Sequence, residues 1–264
     1  MRKQSLALCV VLLTAITGAV TESFAANNPN SSTLFAPTVP DTNALVTNEY
    51  AFWNADDSGV VRSDEWEVNS GSLFSKVTED GPVYWTGAID DGSPDAESAR
   101  HTDSAIFRLT TARSDFGNVR VWFGLNLLRQ TSTRSTPEQD WDGVHIFLHY
   151  QSEQSLYYAS VARRDGAIVV KKKCPGGDSN GGTYYVLDEV AGAPVPLGKW
   201  QEMSASVRSN SNGTVTFRVY RDDQLVLTAL DAGIGCPVIS DPGKTGLRGD
   251  NTEFYLRNFR VTKR

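Results

Sequence analysis

The chain has 264 residues, 40% of them hydrophobic, and 25 Lys and Arg against 31 Asp and Glu give a formal charge of −6. An acidic chain with a pI near 5.1 is a poor general binder of nucleic acid, because neutralising phosphates needs a basic surface, although a local basic groove stays open. Twenty-two glycines, many Thr, Ser and Val, and no long helical period place the chain in the all-β class.

Arg2-Lys3, the apolar run Leu6 to Val20 and the small-x-small site Ser23-Phe24-Ala25 have the layout of a secretory signal peptide over residues 1–25. The run is short and broken by Thr14, Thr17 and Gly18, so it does not read as a membrane anchor. No later stretch is apolar enough to span a bilayer. The mature chain is therefore expected to be secreted, extracellular and without a membrane partner. Cys9 lies inside the apolar run, too early for a lipidation box. Residues 26–45, rich in Pro, Ser, Thr and Asn, read as a flexible linker, and residues 46–264 as one domain.

Short strands then follow, separated by turn residues. Asp64 to Val68 and Gly71 to Phe74 form two strands and a turn, and Trp85 ends another. Asp90 to Arg100 is an acidic loop, a calcium candidate more simply read as solvated. Ala105 to Leu109 and Val119 to Leu128 are strands; the second is apolar on both faces except Arg120 and Asn126, so it belongs in mid-sheet.

The stretch Trp141 to Cys174 reads as three antiparallel strands. Val144, Ile146, Leu148 and Tyr150 alternate with His145, Phe147 and His149. Asp165-Gly166 predicts a two-residue type I′ hairpin, which puts Lys171 opposite Ser160, Lys172 opposite Ala159 and Lys173 opposite Tyr158. If His149 faces Tyr158, then His149, Tyr158 and Lys173 form one row, and a one-residue slip would turn His149 to the other face. Residues 175–182, PGGDSNGG, read as a glycine-rich loop. Strands resume at Trp200 to Val207, Thr214 to Tyr220, Leu225 to Ala229, Gly246 to Arg248 and Phe254 to Val261. Such a series makes a two-sheet antiparallel sandwich. Once the leader is cut, Cys174 and Cys236 remain, and an isolated pair in an oxidising compartment reads as a disulfide.

Three stretches resemble the concanavalin A-like lectin/glucanase superfamily over residues 50–264. They are Asp64 to Leu73, the hairpin from Gly213 to Val226 with Trp200, and the closing Gly246 to Asn251 with Asn258 to Val261. The resemblance implies an all-β jelly-roll sandwich that binds glycans on a concave sheet. It departs from the family at Arg257, where relatives often place an acidic residue near a structural calcium. A family-type calcium is therefore disfavoured, leaving Asp56, Asp57, Asp250 and Glu253 as another possible set; no other cofactor is expected. The E-x-D-x-x-E run of the glycosidases is missing, which disfavours a two-carboxylate hydrolase.

The expected function is secreted carbohydrate binding by a monomer, the partner being a polysaccharide or cell-surface glycan. The alternative is a polysaccharide lyase acting on an acidic, uronate glycan, and whether the chain is an enzyme stays open. His149, Tyr158 and Lys173 are the catalytic candidates. His145, Lys171, Arg120 and Trp141 are the substrate-binding candidates. His145 and His149, four apart on a regular strand, lie roughly 13 Å apart and cannot share a metal; no metal site is expected. Ser160 has no acid–base partner nearby in sequence, so a serine hydrolase finds little support.

Overall fold

The computed structural model describes residues 33–88 and 105–264. The leader and the acidic 90–100 loop lie outside the described residues. The chain runs β1 (Thr33–Phe35), β2 (Ala44–Asn48), a short helix α1 (Glu49–Trp53), β3 (Trp66–Ser70), β4 (Ser72–Thr78), β5 (Gly81–Trp85) and β6 (Ile106–Thr111). It continues through β7 (Val119–Gln130), β8 (Gly143–Ser152), β9 (Ser155–Arg163), β10 (Ile168–Ser179), β11 (Gly182–Val190) and β12 (Trp200–Ser209). It closes with β13 (Val215–Arg221), β14 (Gln224–Asp231), β15 (Lys244–Asp250) and β16 (Thr252–Lys263).

These strands form two antiparallel sheets, as the all-β sandwich reading requires. A nine-stranded sheet has the order β14-β13-β12-β7-β16-β5-β4-β2, with β1 added beside β16; a seven-stranded sheet has the order β11-β10-β9-β8-β15-β6-β3. The chain passes repeatedly from one sheet to the other, which is the jelly-roll connection.

Alternation puts the core between the sheets. On β7, Val119, Val121, Phe123, Leu125 and Leu127 are all buried inward, while Arg120, Trp122, Gly124 and Asn126 take the outer face. On β8, Val144, Ile146 and Leu148 do the same. Each such side chain contributes roughly 1.5–3 kcal/mol by leaving water. Phe35 of β1 packs edge-on against Trp66, Phe116 and Phe259. Residues 33–45, whose composition reads as linker, therefore pack with the strands that follow: the Thr-Leu-Phe triplet of β1 pairs with β16, and β2 begins at Ala44. α1 was not legible either; its cap is Asn48, whose side chain accepts from Ala51 N at 3.0 Å.

Two turns differ from their sequence reading. At 165–166 only Gly166 has positive φ, 82°, so the turn is not type I′. Gly166 N donates to Arg163 O, and Asp165 accepts from Ala167 N while Arg163 clamps its carboxylate. The wider loop moves the register by two residues: Lys171 faces Tyr158, Lys173 faces Leu156, and Ser160 faces Val169. An even shift keeps every side chain on its expected face. The 175–182 stretch is not a plain loop. β10 and β11 extend through it to a turn at Asn180-Gly181, φ 49° and 74°, the pair a type I′ turn demands.

Candidate functional site

The outer face of the seven-stranded sheet collects the polar residues singled out above. Across the strands it presents Tyr184 on β11, Lys171 and Lys173 on β10, Tyr158 and Ser160 on β9, and His145 and Phe147 on β8. Arg248 and Asp250 on β15, Arg108 on β6 and Asn69 on β3 continue it.

Lys173 is only 2% exposed. Its ammonium sits 5.1 Å from the centre of the Tyr184 ring and, among the described residues, has no hydrogen-bond or ion-pair partner. Burial, then the positive charges of Arg248 and Arg108, push this amine down to about 7. Lys171 is lowered as well, by burial and by Arg163. The Tyr158 phenol, fully enclosed, is held well above its ordinary value by burial, and Tyr184 is raised for the same reason.

Arg248 grips Asp250 with two nitrogens, Nε to Oδ2 at 2.8 Å and Nη2 to Oδ1 at 2.5 Å. Burial opposes ionisation of Asp250, yet Arg248 and His145 hold its carboxyl far below the carboxylate range. His145 Nε2 lies 3.1 Å from Asp250 Oδ2 but is not aligned for a hydrogen bond, and Nδ1 lies 3.0 Å from Ser160 Oγ. The ring stacks on Tyr158 with centres 4.3 Å apart. Burial drives His145 down to about 4 against the pull of Asp250, so the imidazole is neutral at pH 7.

Asp250, His145 and Ser160 thus form an acid–histidine–serine chain that sequence spacing did not reveal. Its members are 15 and 90 residues apart in sequence, and strand order brings them together, with His145 between Ser160 on β9 and Asp250 on β15. Ser160 is 1% exposed in mid-strand. Ser160 Oγ on one ring nitrogen and Asp250 beside the other hold the His145 ring in place.

At one end the β8–β9 turn reaches over the face. Glu153 Oε1 pairs with Arg108 at 2.8 Å and accepts from Asn69, while Oε2 accepts from Asn180. Phe147, Tyr150, Leu156 and Tyr158 make a small apolar cluster there.

Lys171, Lys173, Tyr158 and His145 are therefore together. His149 is not. It sits at a bulge with φ 45°, where the β8–β9 register breaks after Leu148. Its ring turns inward, Nδ1 2.7 Å from Ile239 O and Nε2 3.0 Å from Gly117 O. The bulge puts His145 and His149 on opposite faces, and His145 takes the place expected of His149. Arg120 belongs to the other sheet, where it bonds Ser204 and Asp223 and stacks on Tyr220. Trp141 is 40% exposed in the loop before β8, outside the row.

Lys172 faces the core. Its ammonium pairs with Asp231 at 2.9 Å and donates to the carbonyls of Ile234 and Cys236. Tyr157 donates to the same carboxylate at 2.6 Å and accepts from Ile239 N. Beside this network Cys174 and Cys236 form the disulfide, their Cα atoms 5.9 Å apart.

Of the four acidic residues considered for calcium, three are engaged in separate places. Asp250 serves Arg248, Glu253 serves Trp85 and Arg129, and Asp57 serves Tyr50 and Gly59 N. Among the described residues no three His, Cys, Asp or Glu side chains gather as a metal-binding group, and no helix is long and apolar enough to cross a membrane.

No family model matches the chain, and no curated protein matches it. Solved structures do. A Bacillus subtilis protein of unknown function with a galectin-like fold aligns at 13% identity and TM-score 0.50, over 75% of this chain and 90% of that one. The metal-free carbohydrate recognition domain of Emp46p aligns at 8% identity and TM-score 0.45, over 74% and 87%. The catalytic domain of an endo-1,3-beta-glucanase (laminarinase) from Thermotoga petrophila RKU-1 aligns at 11% identity and TM-score 0.43, over 78% and 94%. The chain has the concanavalin A-like jelly-roll fold. Likeness at this identity speaks for the fold and not for an activity.

Proposed function

We propose that the protein is a secreted glycan-binding jelly roll whose ligand lies across the outer face of the seven-stranded sheet. The observation that carries this reading is Lys173, a buried amine without a partner among the described residues, beside Arg248, Arg108, Tyr158 and Tyr184. An unpaired amine held down by neighbouring positive charge takes and keeps its proton when an anion lies beside it, and a uronate carboxylate supplies that anion together with hydroxyls for the phenols. The leader sequence and the disulfide fit an oxidising, extracellular setting.

One observation favours a second reading, the uronate lyase. An amine lowered to about 7 takes up a proton near neutrality, as removal of the proton alpha to a carboxylate requires. A phenol held protonated by burial can then protonate the departing alkoxide, the roles falling to Lys173 and to Tyr158 or Tyr184.

The test incubates mature protein with alginate, pectin, polyglucuronate and neutral glucans, following ultraviolet absorbance from unsaturated ends and retention on the immobilised polymers. Retention on an acidic polymer without absorbance supports the binding module, and growth of absorbance supports the lyase. Neither result on any polymer sinks both readings. Lys173→Ala should weaken acidic-glycan binding at least tenfold at low salt, less at high salt as the charge is screened.

A further inference from the structure

Exposed aromatic side chains gather beside β3, the edge strand of the seven-stranded sheet farthest from β10 and β11. Among the described residues Tyr50, Phe52, Trp53 and Trp141 are the large aromatic side chains left open to water, and three of the four stand on α1. Large rings gain most from burial, so three of them held out at one place mark an interaction surface. None hangs loose. Trp53 is 65% exposed, yet its indole N–H donates to Asn69 O on β3 at 3.1 Å. Phe52 meets it edge-on, ring centres 4.9 Å apart. Tyr50 donates to Asp57 at 2.8 Å. The rings are set in advance, so little rotamer freedom is lost when a molecule lies on them.

Beside these rings α1, β3 and the loop between them border a cavity of about 350 Å³. Phe52, Trp66 and Val68 give it apolar walls, and Arg62, Ser63 and Glu67 give it polar groups. Phe52 and Arg62 are exposed, so the cavity opens to solvent. Glu67 meets Lys244 through Oε2, which leaves Oε1 to accept from another donor. From Glu49 to Glu67 six acidic residues surround a single base, Arg62. That charge repels a carboxylate, a phosphate, an anionic lipid surface or the same corner of a second copy. Apolar walls, a few convergent polar groups and a flat ring alongside suit a neutral ligand with one apolar face and hydroxyls around its edge.

We propose that this corner is a subsite for a neutral oligosaccharide, in which one pyranose rests its C–H face on the Trp53 indole and the next enters the cavity past Phe52. A hydroxyl is donor and acceptor at once, so the ring in the cavity accepts from Arg62 and donates to Glu67. The subsite needs no anion and no ligand on the lysine row. It is therefore independent of the uronate reading and lies at the opposite edge of the same sheet.

The mature protein, carrying fluorotryptophan, is titrated by fluorine NMR with neutral hexasaccharides of glucose, of mannose and of xylose; Trp53→Phe assigns the Trp53 signal, and calorimetry gives the affinities. The expected result is a saturable shift of the Trp53 signal with at least one of the three. Trp53→Ala should weaken that binding roughly tenfold or more, and Trp53→Phe, which keeps a ring, by less. Arg62→Ala, at an exposed position, should weaken it without moving the thermal midpoint. Lys173→Ala should leave it intact, which separates this subsite from the lysine row. A Trp53 signal unmoved by all three sugars at millimolar concentration overturns the proposal. So does an affinity that Lys173→Ala abolishes and Trp53→Ala leaves unchanged, which places the sugar on the lysine row. A Trp53 signal that answers only to protein concentration, or only to zwitterionic lipid vesicles, also overturns it, and makes the corner a contact between copies or with a membrane.

Discussion

Lys172 and Lys173 are neighbours on β10, and replacing each by methionine should move stability in opposite directions. Lys172 is fully buried and fully served, by Asp231 and two carbonyls. Lys172→Met leaves the Asp231 carboxylate buried against Tyr157 and the amides of Gly233 and Ile234, without its counter-charge. Removing one partner of a buried pair costs about 3–5 kcal/mol. At about 2–4 °C per kcal/mol for a domain of this size, the thermal midpoint should fall by roughly 6–20 °C. The double change Lys172→Met, Asp231→Asn should recover part of that loss, because the stranded charge goes too. Lys173 is the reverse case. Its amine lies below the unfolded value of a lysine, at about 7, so the native state prefers the neutral form. That preference adds stability above pH ~10.4, fades as pH falls, and has turned into the full cost of a desolvated charge below about pH 7. Lys173→Met should therefore raise the midpoint at pH 6 and change little at pH 11. Urea melts of the oxidised protein at both pH values measure this. A Lys172→Met loss under about 1 kcal/mol, or a Lys173→Met loss at pH 6, would refute the reasoning.

Replacing both Cys174 and Cys236 by alanine opens a loop of 62 residues and should cost about 4 kcal/mol by chain entropy, read from urea midpoints without reductant. His149→Ala strands the one carbonyl, Ile239 O or Gly117 O, that the ring N–H serves and should cost roughly 1–3 kcal/mol, while glycan retention stays at the wild-type level. His145 is neutral in the native state down to about pH 4, whereas an unfolded histidine takes its proton near 6.5. The unfolded state therefore binds more protons between these values, and stability should drop by up to about 1.4 kcal/mol per pH unit there. His145→Gln should flatten that slope in acid melts; an unchanged slope means the ring is already charged in the folded protein.

The strands from β6 to β10 and from β12 to β16 were legible because each is a run rich in β-branched, aromatic or alternating apolar residues bounded by turn residues, and such runs are a property of the chain alone. Parity of the lysines was legible for the same reason, and it survived a wrong turn type because the shift was even. His149 was not legible. Its φ of 45° breaks the alternation, and nothing in Leu148-His149-Tyr150 marks a bulge. The Asn180-Gly181 hairpin was masked by the glycines before it, although the dipeptide itself carries the turn signal. Arg248, Asp250 and Arg108 could not be joined to Lys173 from sequence, since β15 and β6 enter the sheet through strand order and not through chain order.

The two sets of buried polar groups differ in how completely they are served. The Lys172, Asp231 and Tyr157 network spends its donors and acceptors on one another and on the 233–239 backbone, as a structural network must. His149 likewise spends its ring N–H on a backbone carbonyl. Lys173 instead has no hydrogen-bond or ion-pair partner among the described residues. Burial alone does not distinguish a brace from a binding group, but the partner count does, because an unserved group lowers stability unless something outside the chain meets it. The sign of a truncation should therefore sort them. Lys172→Met and His149→Ala lower the thermal midpoint, whereas Lys173→Met holds or raises it while ligand binding falls. If Lys173→Met destabilised as strongly as the first pair, its side chain would be a brace, and its missing partner would carry no argument for a ligand.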